Sequence, residues 1–449
     1  MQPLPSTKLR PPRATATLIA RPRLEALLDA ARAALRATLL VAPAGYGKTT
    51  AVSAWLRTRQ LASAWFTVDQ GDDTGTDPEA LIASWLIAAL TSAGAWSAGG
   101  ARSDRDTIAA AREPSEVAAL LEASGWRGVM VFDDVHHLGA ATGAALASWI
   151  ERAPDGVHTV VLARHTPALP LARWLARGEA ELLATDALRL QADEGRALVT
   201  RLLPELAPAH ADALVARVEG WPAGVQLASR SLGGKADPGD VIERFTGTDR
   251  FVLAFLTEEV LLKLPDDLHE AALLLAGEPR LCAALVDAIS ASTGGAAVLA
   301  RLEAQEAFLE RLDAVDDDGP WFRFPGFFRD LLSHRLALAR PDLPAVLAER
   351  AALWWRARAE RDQASAGGTV GSRPEASGAA RHAVTPEPLT EREQQVLVLL
   401  VAGASTKAIA RELGLSANTV KTHTRHLFEK LAVRTRTQAA AEARRLGLV

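Results

Sequence analysis

Two stretches of this sequence carry residue types able to manage phosphate chemistry. Ala42, Pro43, Ala44, Gly45, Tyr46, Gly47, Lys48, Thr49 and Thr50 follow the short apolar run that starts at Ala37. Small residues in such a loop let successive backbone N–H groups converge on phosphate oxygens, and the helix after the loop adds its positive end. Lys48 would neutralise β- and γ-phosphate charge, and the Thr49 hydroxyl can ligate Mg²⁺. The pattern is that of a P-loop, with Ala42 where many such loops have Gly. Further on, Val129-Met130-Val131-Phe132 runs straight into Asp133 and Asp134. An apolar strand ending in two acids suits a metal-holding carboxylate, Asp133, beside one that polarises an attacking water, Asp134. A Gly-bearing turn alone is a weak signal; paired with the two acids it points to ATP or ADP with Mg²⁺. Binding without hydrolysis would use the same residues. Arg164, at the end of the run His158 to Ala163, either senses a γ-phosphate or is an ordinary surface arginine. Arg173 and Arg177 read as helix-surface residues.

The elements that must position these groups are legible from periodicity. Ala37 to Ala42 reads as a strand, the loop comes next, and Thr49 to Arg57 reads as a helix. Ala64 to Val68, Gly128 to Phe132 and His158 to Ala163 are likewise short and β-branched or aromatic, with helical patterns between them, which predicts an α/β domain with a parallel sheet. From Glu194 to Arg361 the patterns are almost wholly helical, punctuated at Gly220 to Pro222, Gly233 to Gly239 and Asp316 to Pro320. Ala364 to Pro388 loses that periodicity and is rich in Gly, Ser, Ala and Pro, the composition of a flexible linker.

Past the linker the chemistry changes. Thr390 and Glu393 form a capping-box pattern, with Val396, Leu397 and Leu400 coming after at helical spacing. Thr406 to Leu413 is a short helix pattern, Gly414-Leu415 a turn, and Ser416 caps a longer helix to Leu431: a helix-turn-helix. Val420, Thr424, Leu427 and Leu431 face inward, leaving Lys421, Thr422 and Arg425 on the opposite face. Lys and Arg there can reach guanine acceptors in a major groove and Thr422 a thymine methyl. Lys407, Thr419, His423 and Lys430 flank that face and suit phosphates. Residues 389–449 carry ten Lys and Arg against five Glu, a net +5 in a chain whose formal charge is −4. A basic tail on an acidic body suits double-stranded DNA; a solvated helical bundle is the plainer alternative.

Composition excludes several classes. At 49% hydrophobic, the 449 residues can bury more than one core, so disorder is not the default. The single cysteine, Cys282, rules out an internal disulfide framework and reads as core. Met1 to Arg13 has no apolar h-region, so a cytoplasmic protein is expected. Ala80 to Ala101 lacks charge, but Thr91, Ser92, Gly94, Ser97, Gly99 and Gly100 dilute its second half. It reads as a buried helix and a loop rather than a membrane span.

Leu389 to Leu448 closely resembles the LuxR-type DNA-binding domain. The remainder resembles the MalT-like, large ATP-binding branch of that family, within the STAND signalling ATPases. The carrying pieces are Thr7-Lys8-Leu9, Arg21-Pro22-Arg23-Leu24, the loop Ala42 to Thr50, Trp65 to Asp69, the Asp133-Asp134 pair, Gly220-Trp221-Pro222-Ala223-Gly224, and Trp321 to Leu332. The resemblance implies a multidomain chain: an N-terminal arm (1–30), an α/β P-loop NTPase domain (31–205), a helical and winged-helix-like region (206–361), a linker (362–386) and an all-α LuxR-type domain (387–449). It implies a nucleotide-switched regulator that self-associates with ATP and recruits RNA polymerase at promoter DNA. Two departures stand out. The long helical-repeat sensor usual in that branch is replaced by the linker, and Pro325 stands where a His commonly helps hold the ADP-bound state. A side chain unable to donate a hydrogen bond there predicts a looser off-state, gated by a partner protein. Two other readings compete: a signalling scaffold merely stabilised by nucleotide, and an ATPase enzyme with an accessory DNA-binding tail. The latter needs acceptor-site or translocation motifs, and none is found.

Overall fold

The computed structural model describes residues 5–13, 17–74, 76–97, 105–232, 242, 245–305, 307–316, 318–367, 391–401, 409, 413 and 420. They fall into two compact units, 1–367 and 368–449. In the first, helix α1 (Pro22–Ala34) leads into strand β1 (Ala37–Val41), and helix α2 (Lys48–Thr58) comes after the loop. Strands β2 (Ser63–Thr67), β3 (Gly128–Asp133), β4 (Val157–Ala163) and β5 (Ala180–Leu183) complete a parallel sheet in the order β2-β3-β4-β1-β5. Strands β1, β3 and β4 are buried along their whole length, which accounts for apolar runs such as Val129 to Phe132 and Val160 to Ala163. The four strands legible from the sequence are present. β5 was not, because a four-residue edge strand carrying Glu181 has neither the length nor the apolarity of its neighbours. Residues 22–30, assigned by sequence to an N-terminal arm, are part of α1, whose Leu24 and Leu28 are 1% exposed.

The two faces of the sheet feed different cores. Leu39, Val41, Phe66, Phe132 and Val161 pack with Ile82, Leu86, Leu121, Leu146 and Trp149. Among these helices is Pro78–Ser92, capped by Asp77, whose carboxylate accepts from the Ala80 N–H at 3.1 Å. Trp85 of this helix stacks on Phe66 at 4.7 Å, so the uncharged stretch is a core helix. Among the described residues no single helix is long and apolar enough to cross a membrane.

The opposite face, with Leu40, Val131, Val160 and Leu162, joins Val52 and Trp55 of α2 and continues without a break into the region beyond β5. That region begins with helices Ala192–Leu202, Pro208–Arg217 and Pro222–Leu232. Helices Arg250–Glu259, Asp266–Leu275, Ala283–Ser290 and Gly295–Ala304 precede an antiparallel hairpin, β6 (Glu310–Asp316) and β7 (Gly319–Arg323), then helices Gly326–Ala339 and Leu343–Gly367. The almost wholly helical reading needs this correction: the punctuation at Asp316 to Pro320 falls where two short strands pair, Asp316 with Gly319 and Val315 with Pro320. Helix Leu343–Gly367 extends beyond Arg361, where the sequence pattern ended it. Trp355 stacks on Trp321 at 5.6 Å and Arg358 reaches Asp316 at 2.6 Å, fastening the helix to the hairpin. Cys282 is fully buried.

In the second unit, helix Glu391–Val401 buries Val396 and Leu397, and Ile409 and Val420 are buried helical positions. Lys407, Thr419, Lys421, Thr422, His423, Arg425 and Lys430 lie outside the described residues.

Candidate nucleotide site

In a parallel sheet the carboxyl ends of the strands open onto a crevice where connections leave in opposite directions. Here β1 and β3 are separated by β4, so the residue after β4 stands between the loop that leaves β1 and the acids that end β3. That placement brings Ala42 to Thr50, Asp133, Asp134 and Arg164 to one rim.

The loop turns at Gly45 and Gly47, with φ of +80° and +77°, values that L side chains rarely adopt. Gly45 has a second reason to be glycine. A Cβ there would lie 2.6 Å from the Ala223 Cβ and 2.7 Å from Trp221 Nε1. The loop is gripped by that neighbour: Trp221 Nε1 donates to the Ala44 carbonyl at 3.1 Å, and the Ala223 N–H to the Gly45 carbonyl at 3.0 Å. Tyr46 is turned inward, 1% exposed, and packs on Phe308 at 6.0 Å. Trp221 stacks on Phe327 at 4.7 Å and meets Phe308 edge-on at 5.7 Å. The loop, the helical region and the hairpin region therefore share one aromatic core. The sequence showed Gly220 to Gly224 as a break between helices and as part of a resemblance; nothing in its spacing says that it clamps the loop.

At the start of α2, Lys48 is buried and its Nζ donates to the Ala42 and Pro43 carbonyls at 2.6 and 3.2 Å. The Thr49 hydroxyl donates to Asp133 Oδ1 at 3.1 Å. Burial, reinforced by the charge of Asp134, pushes the Asp133 carboxyl up to about 7 against the opposing pull of Thr49 and Lys48. Two hard oxygens this close, one a carboxylate that burial disfavours in its charged form, make a donor pair that a divalent cation such as Mg²⁺ suits. Asp134 sits in the left-handed region at φ +57°, its N–H bound to Asp133 Oδ1 at 3.0 Å. Behind it His136 is enclosed, its Nδ1 3.7 Å from Asp134 Oδ1. Burial, with His137 and Arg164 nearby, pushes this imidazole down to about 2, so it is neutral at physiological pH.

Two cavities flank the loop. The first, of about 230 Å³, is lined by Gly45, Gly47 and Thr50 and by apolar side chains that include Leu18, Ile19, Leu24 and Leu190. Arg21 forms part of its wall, held by the Arg189 carbonyl and Glu194 Oε2, each at 3.2 Å. The second, of about 530 Å³, lies beside Pro43 and Ala44 and is bounded by polar groups, among them Gln70, His137, Arg164, His165 and Lys263. Arg164 reaches across it: Nη1 donates to the Glu259 carbonyl at 3.1 Å and Nη2 lies 2.9 Å from Glu259 Oε2. Burial works to raise the Glu259 pKa, but hydrogen bonds from Lys263 and Arg164 outweigh it and hold the carboxylate below its usual range.

An ion-pair network ties the sheet domain to the hairpin region. Arg189 contacts Glu310 at 2.6 Å, Arg323 contacts both Glu219 and Glu310 at 2.7 Å, and the Gly326 N–H donates to Glu219 Oε1 at 2.7 Å. Pro325 cannot donate, yet Arg323 before it and Gly326 after it both do. None of Glu219, Glu259 and Glu310 stood out in the sequence, because surface glutamates at helix ends and strand starts have no pattern of their own.

Comparison with known proteins agrees with this architecture. Residues 387–443 match the model of bacterial regulatory proteins of the luxR family, and residues 257–344 match the MalT winged helix domain. The chain is 30% identical over 364 residues to the serine/threonine-protein kinase PknK of Mycobacterium tuberculosis, covering 79% of this chain and 32% of that protein. It is 30% identical over 363 residues to the HTH-type transcriptional regulator MalT of Cronobacter sakazakii, covering 77% of this chain and 38% of that one. The chain thus spans about a third of the length of these relatives. Among solved structures, the Walker-type ATPase of Pyrococcus abyssi superposes with a TM-score of 0.50 at 13% identity, over 70% of this chain and 95% of that one.

Proposed function

We propose that this chain, which joins a Walker-type ATPase fold and a MalT winged helix to a C-terminal LuxR-family helix-turn-helix domain, is a nucleotide-switched regulator of transcription that binds promoter DNA. The observation that carries the reading is the convergence of Lys48, Thr49, Asp133 and Arg164 on the loop rim, within a chain that also has a DNA-binding module. In this reading the apolar cavity takes the base of ATP or ADP. Backbone N–H groups of residues 44–49 and Lys48 take the phosphates, Thr49 and Asp133 hold Mg²⁺, and Arg164 reads the γ-phosphate. Asp134 would align water if hydrolysis resets the switch. Turnover would be slow, since the output is a change of conformation.

At the DNA end, Lys421, Thr422 and Arg425 read bases while Lys407, Thr419, His423 and Lys430 meet phosphates. Self-association with ATP, contact with RNA polymerase and a gating partner complete the proposal. The alternative of a nucleotide-stabilised scaffold predicts DNA binding indifferent to nucleotide. Selecting genomic fragments with the intact protein, with and without ATP, tests the choice: fragments enriched with ATP alone support the switch, and identical sets refute it. On a selected site, Lys421→Ala and Arg425→Ala should each lower specificity by roughly 1–3 kcal/mol. Lys430→Ala should weaken all sequences alike.

A further inference from the structure

We propose that Glu259 is the residue that sets the site's discrimination between triphosphate and diphosphate, by holding Arg164 until a γ-phosphate displaces it. The inference rests on the nucleotide reading above and adds to it a residue from outside the P-loop domain.

The geometry has three parts. First, both contacts of the Arg164 guanidinium with this helix go to one residue, the carboxylate and the carbonyl of Glu259, at 2.9 and 3.1 Å. Arg164 comes directly after β4, the strand between the loop and the acids, and lines the polar cavity beside Pro43 and Ala44. An arginine so placed spends both Nη groups on Glu259, and turning that fork to a γ-phosphate means giving up those contacts. A diphosphate ends before that point and leaves the pair in place. Second, the exchange strands no charge. Lys263 Nζ donates to Glu259 Oε2 at 2.6 Å, so the carboxylate keeps a cationic partner after Arg164 leaves. The side chains of Arg164 and Glu259 are 27% and 35% exposed, so water also screens the separated groups. Third, Glu259 sits at a break. It is the last residue of helix Arg250–Glu259. Val260 departs to φ −124°, ψ −66°, and a 3₁₀ turn at Leu261–Lys263 comes next, its Leu262 71% exposed. Releasing Arg164 therefore frees the end of a helix in the winged-helix region rather than a residue locked in the sheet, which links the chemistry of the third phosphate to the domain beyond the sheet.

A merely structural pin between the two regions would make no distinction between ligands. The test is nucleotide titration of the full chain with Mg²⁺, comparing the parent, Glu259→Gln and Glu259→Asp, each alone and with Arg164→Gln. Glu259→Gln keeps the shape and removes the charge, so ATP should tighten about fivefold while ADP stays within about twofold. Glu259→Asp, which keeps the charge, should lie between. In the Arg164→Gln background the Glu259 substitutions should leave both ligands unchanged, because the coupled pair is gone. Equal shifts for ATP and ADP, or an effect that survives Arg164→Gln, would overturn the role of Glu259 and leave nucleotide binding intact. If the folded parent and its variants all fail to bind either nucleotide, the nucleotide reading itself falls, and this proposal with it.

Discussion

The two cavities beside the loop Ala42 to Thr50 differ in balance, the first mainly apolar and the second carrying more polar and charged groups. One is walled by Leu18, Ile19, Leu24 and Leu190 and is continuous with the core that runs from α1 to the hairpin region. The other is edged by histidines, Arg164, Glu259 and Lys263. Apolar packing has one good arrangement, so the first cavity can hold a ligand but has little means of reporting it. Ion pairs in a half-wet cleft exchange partners for about 1 kcal/mol, so the second can report a change of charge. Under the proposed function the comparison teaches a division of labour: one side of the loop would grip the nucleotide and the other would sense its charge.

The largest expected effect tests the grip. Trp221→Ala removes a buried indole, its stacking on Phe327 and the donor to the Ala44 carbonyl. Denaturant unfolding should show a loss of about 3–5 kcal/mol, with nucleotide affinity falling for ATP and ADP together. A stable variant with intact affinity would show that the loop does not depend on its clamp.

Next comes the sheet on which both cavities stand. His158 is buried between the Thr38 hydroxyl and the Leu35 carbonyl, both at 2.9 Å, and burial pushes it down to about 4. The unfolded chain takes up a proton near pH 6.5 and the folded chain only near pH 4, so stability falls as pH drops through that window. About 3 kcal/mol should be lost, and His158→Gln should flatten that part of the pH–stability curve. An unchanged curve would place the acid sensitivity elsewhere.

Lys48→Ala should weaken ATP about 10- to 100-fold in titration, the worth of hydrogen bonds to a charged group, with less effect on folding than Trp221→Ala. A variant binding ATP as the parent does would remove Lys48 from the site. The smallest effect belongs to the link between regions. Arg323→Gln loses contacts to Glu219 and Glu310, side chains that are 20–32% exposed. Unfolding should show about 1 kcal/mol lost at low salt and less at high salt. A loss independent of salt would argue for packing instead.

Much of this architecture is legible in the sequence where one local rule decides. Buried parallel strands such as Val129 to Phe132 must be continuously apolar, and a loop that cradles phosphate needs small residues before Lys48. The hairpin Glu310–Arg323 escaped because its one alternating stretch, Arg311 to Ala314, is only four residues long and its second strand, Gly319–Arg323, is short and opens on Gly and Pro. Glu219, Glu259 and the clamp at Trp221 escaped for another reason. Their meaning comes from partners far away along the chain, as with Glu259 and Arg164, and no periodicity records such a pairing. Lys407, Thr419, Lys421, Thr422, His423, Arg425 and Lys430, which the sequence pattern assigns to DNA, lie outside the described residues.

The measurement that bears most directly on the account is the affinity of the full chain for a selected DNA site with ATP, with ADP and without nucleotide, for the parent and Lys48→Ala. The parent should bind the site more tightly with ATP than with ADP, and the variant should bind it equally under all three conditions while remaining folded. Parent affinity that is the same in all three would contradict the claim that nucleotide governs engagement with DNA.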